Sequence, residues 1–245
     1  MLNIRQSLKF SFFLVFAFLL ISIQKVNAAA IACNANEIAQ TFTFGGGNAW
    51  TGGSSTNNYT VGTAPNAVTL TFTNTQVSTA IAGDPRLRQS GNNANALVIS
   101  GTNSSVGATL STLALSTNRT INKLTYNVYD MDYSASGASN FRDRIVATRN
   151  GGGFPTAMTA VTPANETITL ASGNARATNS ANCADTDTGC NIEIQFNTTG
   201  ISSTSTQFLA AHASGTTAQQ STGFGEYSWC LPRHPTVTIR KVSNG

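Results

Sequence analysis

Charge is scarce in this chain: 14 Lys and Arg and 10 Asp and Glu are spread through 245 residues. The bases gather in no stripe, which argues against a nucleic acid or an anionic membrane as partner, because both are held through clustered Lys and Arg. Histidine is scarcer still. His212 and His234 are isolated, so neither a Ser-His-Asp arrangement nor a His-rich metal site can be assembled. Helical periodicity is almost absent, and after the opening residues no apolar run approaches the roughly 20 residues a membrane helix needs.

The opening itself is different. Arg5 and Lys9 precede an apolar run from Phe10 to Ile23, interrupted only by Ser11 and Ser22 and followed by Val26-Asn27-Ala28-Ala29-Ala30. A charged start, a short apolar centre and a small-residue exit make a secretory signal peptide over residues 1–28, which places the protein outside the cytoplasm, secreted or at the cell surface. Its removal takes Arg5, Lys9 and Lys25 and no acid, so eleven bases face ten acids and the net charge falls to +1. With so little charge, the polar surface has to be built from Thr, Ser, Asn and Gly. The remaining chain is long enough to bury a real core, as one large β domain or two small ones.

Four cysteines follow the leader: Cys33, Cys183, Cys190 and Cys230. An even number in an oxidising compartment reads as disulfides. Cys183 and Cys190 bracket Ala-Asp-Thr-Asp-Thr-Gly, a loop short enough to close on itself, which leaves Cys33 for Cys230. That second bond would tie the first residues of the domain to its last strand region, and a loop so long is worth about 4 kcal/mol or more in the chain-entropy model. A four-thiolate metal site is disfavoured because paired Cys-x-x-Cys spacing is missing.

Short β-rich runs separated by Gly, Asn, Ser and Pro recur from residue 38 onward. They predict strands at Ile38–Phe44, Tyr59–Val61, Ala67–Asn74, Ala96–Ser100, Ala108–Leu115, Ile121–Met131, Asp143–Arg149, Thr167–Ala171, Asn191–Asn197, Gln207–Ala211 and Thr236–Lys241. The fold class expected is all-β, a two-sheet antiparallel β-sandwich of jelly-roll or Ig-like type over residues 29–231. Alternation is clearest in Ala67–Phe72, Leu124-Tyr126-Val128 and Ile192-Ile194-Phe196, which gives one buried and one wet face. Gly45–Asn58, Asp84–Asn95 and Gly173–Thr188 read as long polar surface loops.

The densest polar cluster is Tyr129-Asp130-Met131-Asp132-Tyr133, followed by Asn140-Phe141-Arg142-Asp143-Arg144-Ile145. Strand alternation puts Asp130 and Asp132 on one face, and a hairpin would return Asp143 beside them. Three carboxylates with loop carbonyls are the oxygen ligands calcium takes; the competing structural reading pairs the carboxylates with Arg142 and Arg144 to pin the hairpin. Asp185 and Asp187 form a second, weaker calcium candidate that lacks a closing Glu. Trp50 and Tyr133 are candidates for stacking on a sugar ring, with a core cap as the alternative for Trp50. No cofactor is required by any of these patterns.

Two resemblances add to this reading. Val128-Tyr129-Asp130-Met131-Asp132 with Asp143-Arg144-Ile145 resembles a motif of secreted bacterial β-sandwich domains, many of them N-terminal in large adhesin-like proteins. Thr236–Gly245 resembles the opening strand of prealbumin-like modules of bacterial surface proteins, with residues 232–245 as linker and first strand of a further module. They imply a cell-surface or extracellular role, a protein or glycan receptor as partner, and no established catalysis. The function expected is therefore a structural or adhesive module and not an enzyme, with a carbohydrate-binding module using loop aromatics as the alternative and a secreted hydrolase behind it.

Overall fold

The computed structural model describes residues 31–102, 105–135, 141–160, 166–178, 183–211 and 219–234. The leader and the strand expected at Thr236–Lys241 lie outside these residues. The strands are β1 (Glu37–Phe42), β2 (Thr56–Val61), β3 (Val68–Gln76), β4 (Arg86–Ser90), β5 (Asn93–Thr102), β6 (Thr109–Tyr129), β7 (Tyr133–Ser134), β8 (Phe141–Arg149), β9 (Ala157–Ala160), β10 (Glu166–Thr169), β11 (Asn174–Ala177), β12 (Ile192–Phe196), β13 (Ile201–Ala210) and β14 (Gln219–Pro232). All pairings are antiparallel, and the sheet curls into a half-barrel. Among the described residues there is no α-helix; a 3-10 turn spans Leu170–Ser172.

The long strand β6 organises the rest. Its first part pairs with β3, from Gln76↔Ser111 to Leu70↔Thr117, and with β13. Its second part pairs with β12, from Phe196↔Leu124 to Ile192↔Val128, and with β14. Between the two parts Lys123 takes φ +50° and donates its amide to Thr198 O. On the first side the order runs β10-β11-β8-β13-β6, with β3 and β2 beyond; on the second β14 continues to β5 and β4 and also carries β1.

Alternation builds the core. In β3, Val68, Leu70 and Phe72 are buried while Thr69, Thr71 and Thr73 face outward, and β12 buries Ile192, Ile194 and Phe196. These side chains meet Tyr126, Phe208 and Trp229 in one cluster drawn from both sides of β6. Each fully buried side chain of this size contributes about 1.5–3 kcal/mol. A buried hydrogen bond of 2.7 Å between Tyr126 Oη and Thr206 Oγ1 ties the two sides across that core.

Several expectations are corrected here. The strands expected at Ala108–Leu115 and Ile121–Met131 are parts of one strand, β6, which runs from Thr109 to Tyr129. The presumed loops Asp84–Asn95 and Gly173–Thr188 contain β4 and β11. The 14-residue β14 lies where no strand was expected apart from its neighbourhood to Cys230. Its glycines read as breakers, but they mark close approach: a Cβ on Gly223 would stand 2.7 Å from Ser90 Oγ, and one on Gly225 3.2 Å from the Tyr129 ring.

The cysteines pair as Cys33–Cys230 and Cys183–Cys190, with Cα atoms 5.5 and 6.3 Å apart, and no described cysteine is free. The first bond lies beside the β1–β14 ladder, where Glu37↔Pro232 through Phe42↔Tyr227 pair.

Candidate functional site

Four segments converge at one end of the sheet. β6 ends at Tyr129 because Asp130 turns the chain out of the strand at φ +62°, a conformation Asp tolerates better than most side chains. Asp130 and Asp132 therefore do not share a strand face by alternation; the turn leaves their carboxyls close enough to act on each other electrostatically. The expected hairpin is present, with Tyr133↔Arg142 and Ser134↔Phe141 paired between β7 and β8. It returns Asp143, which accepts from Asp132 N through Oδ2 and donates its own amide to Asp132 O, each at 2.9 Å.

The Cys183–Cys190 loop covers this turn. Cys183 N donates to Asp132 Oδ1 at 3.1 Å, and Met131 N donates to Cys190 O at 2.9 Å. The fourth segment is the β4–β5 turn, a two-residue Gly91-Asn92 hairpin in which both residues have positive φ, as a type I′ turn requires. Asn92 N donates to Asp185 O at 2.8 Å, and Asn191 Nδ2 donates to Gly91 O at 2.9 Å. Gly91 is also required by contact, since a Cβ there would stand 2.1 Å from Asn191 Oδ1.

The second acidic candidate lies near the first, with Asp185 exposed on the loop that covers the turn. Asp185 acts electrostatically on both Asp130 and Asp132, whereas Asp187 is held in its own turn, accepting from Gly189 N and donating to Ala184 O. Asp130, Asp132 and Asp143 are all buried, Asp143 to 1% exposure. Burial is the main cause that raises Asp130 to about 6, with the Asp185 charge adding and Arg88 opposing. Burial and then the Asp130 charge raise Asp132 to about 8, against the Cys183 N–H bond. Asp143 is pushed well above the carboxylate range by burial and then by Asp132. Asp130 Oδ1 and Asp143 Oδ1 are buried with no hydrogen-bond partner among the described residues.

Asp130, Asp132 and Asp143 do not bring one carboxylate oxygen each within 4.8 Å of one another, so they form a buried acidic cluster and not a closed ligand shell. The Cys183 and Cys190 sulfurs lie within 4.8 Å of the Asp132 carboxylate, but they are bonded to each other and offer no thiolate. The competing Asp–Arg lock does not form. Alternation along β8 points Asp143 inward and Arg142 and Arg144 outward; the Arg142 guanidinium lies 4.0 Å from the centre of the Tyr133 ring, and Arg144 Nε donates to Asn174 Oδ1.

The aromatic candidates separate. Trp50, expected in a Gly-rich loop, is 6% exposed and packs edge-on against Phe44, so it caps the core and presents no ring to a ligand. Tyr133 is half-buried, with one ring face occupied by Arg142. The contributions of Arg88, Gly91, Asn92 and Asn191 were missed; the Gly-Asn pair was the available signal, a hairpin turn mistaken for loop.

No protein-family model matches the chain, and neither does any curated protein or solved structure. Among the described residues no helix is long and apolar enough to cross a membrane.

Proposed function

We propose that this chain is an exported bacterial module of the cell surface or extracellular space, structural or adhesive and non-catalytic, with calcium held at the Asp130/Asp132/Asp143 cluster. The observation that carries the reading is the buried carboxylate cluster, built from four segments and left with unpartnered oxygens on Asp130 and Asp143. A buried carboxylate is costly unless it is paired, protonated or bound to a metal. Asp130, Asp132, Asp143 and Asp185 would hold calcium, which supplies charge balance and links the segments; it performs no reaction there. Two disulfides and the lack of a membrane-crossing helix among the described residues are consistent with export.

On the finer architecture, the two pairing sets joined through β6 are read as the layers of a sandwich, a view supported by the single core they share.

Thermal unfolding of the purified chain with excess calcium and with a chelator tests the metal. A rise of several degrees with calcium, lost in Asp143→Asn, is expected by mass action. An identical melting temperature in both conditions refutes calcium. Fractionation of expressing bacteria and adhesion of protein-coated beads to host cells and matrix test the surface role; retention in the cytoplasm refutes it.

A further inference from the structure

The outer face of β8, β10 and β11 carries a second feature that the fold does not need. Arg176 and Arg144 are direct register partners across the β11–β8 ladder, and Thr167 stands opposite Arg176 on β10. Like charges placed directly opposite each other destabilise an antiparallel pair. Asp143 points into the core, and Glu166 is in step with Ile168, which packs against the core on the other face.

Around the two arginines lies a cleft of about 380 Å³, walled by Thr167 and Thr169 on one side and by Val106, Gly107 and Ala211 on the other, with no acid in its lining. Asn174 Oδ1 accepts from Arg144 Nε and so fixes the plane of that guanidinium, leaving both Nη groups to donate elsewhere. Arg176 is exposed and reaches the same cleft. The segments outside the described residues between 103 and 218 contain no Asp or Glu, so none of them supplies a counter-charge.

We propose that this cleft binds an acidic sugar, with Arg144 and Arg176 clamping its carboxylate or sulfate and Thr167, Thr169 and Asn174 meeting its hydroxyls. Guanidinium groups are suited to planar two-point recognition of such anions. The short polar side chains around them match a hydroxylated carrier, and the volume fits a ligand of one or two rings. The choice of a sugar as carrier rests on the extracellular adhesive reading above.

Calorimetric titration of the full chain with uronate and sulfated disaccharides, beside a methyl-esterified and a desulfated counterpart, tests the assignment. The acidic probes are expected to bind and the neutral ones not, with binding weakened by salt. Arg176→Gln should weaken it at least tenfold while the melting temperature stays level or rises, because repulsion is relieved. Arg144→Lys, which keeps the charge and loses the fork, should weaken it several-fold. The proposal is overturned by equal binding of neutral probes, by no binding of any acidic probe, by unchanged affinity in Arg176→Gln, or by equally tight binding of a poly-glutamate peptide. Bead adhesion that persists without acidic-sugar binding overturns the cleft and leaves the adhesive module standing.

Discussion

In the presence of a chelator, raising the pH should destabilise the protein progressively, for a reason with a definite sign. Asp130 is raised by burial from 3.8 to about 6, so above about pH 4 the folded state holds a proton that the unfolded state has released. Stability falls with pH wherever the folded state binds more protons, so this contribution is fully present below about pH 4 and lost as pH passes about 6. Asp132, raised to about 8, extends the loss toward pH 8. Arg88 is the cation that opposes the shift at Asp130, and Asp143 and Asp185 are the remaining charges in the cluster. One extra proton held over about two pH units amounts to about 2.7 kcal/mol. For a chain of this size that is roughly 5–10 °C in melting temperature. Calcium at the proposed site would bind the deprotonated form, so its stabilising effect should be small near pH 5 and large near pH 8. Differential scanning calorimetry at both pH values, with calcium and with chelator, measures all four states. A chelated protein whose melting temperature is flat or rises over this window refutes the reasoning, as does a calcium shift of equal size at both ends.

Loss of the Cys33–Cys230 bond by Cys33→Ser should cost about 5 kcal/mol in the chain-entropy model, given a sequence separation of 197, measured by denaturant titration. Loss of Cys183–Cys190, with a separation of 7, should cost only about 2.5 kcal/mol, yet abolish the calcium response because Cys183 N no longer holds Asp132. Trp50→Ala should destabilise by about 3–5 kcal/mol while leaving acidic-sugar titrations unchanged. Gly91→Ala, strained by its φ of +55° and by Asn191, should cost about 2 kcal/mol and weaken the calcium shift; an unaltered shift would mean the β4–β5 turn does not shape the cluster.

Alternation made the inner strands legible: Val68-Leu70-Phe72 and Ile192-Ile194-Phe196 are apolar at every second position, and the structure buries all six. The pattern failed where packing, and not periodicity, decides. β4 reads Arg-Leu-Arg-Gln-Ser and has too few apolar positions to signal a strand, while β14 hides its strand behind glycines that admit Ser90 and the Tyr129 ring. The three aspartates could be grouped from spacing because a hairpin joins them. Asp185 could not be added to them, since 55 residues separate it from Asp130 and only the folded disulfide loop closes that distance. The cross-strand arginines were equally out of reach, because Arg144 and Arg176 become neighbours only through the β8–β11 register.

The Cys33–Cys230 bond sets how the molecule carries load. Chain arriving at Cys33 and chain leaving at Cys230 are joined covalently, with 5.5 Å between their Cα atoms. Tension applied through the flanking segments crosses that bond directly and bypasses the enclosed chain, a sequence separation of 197, so neither the core nor the acid cluster is pulled. Under tension the stretch enclosed by the bond behaves as an inextensible link of fixed length, up to the force that breaks a covalent bond.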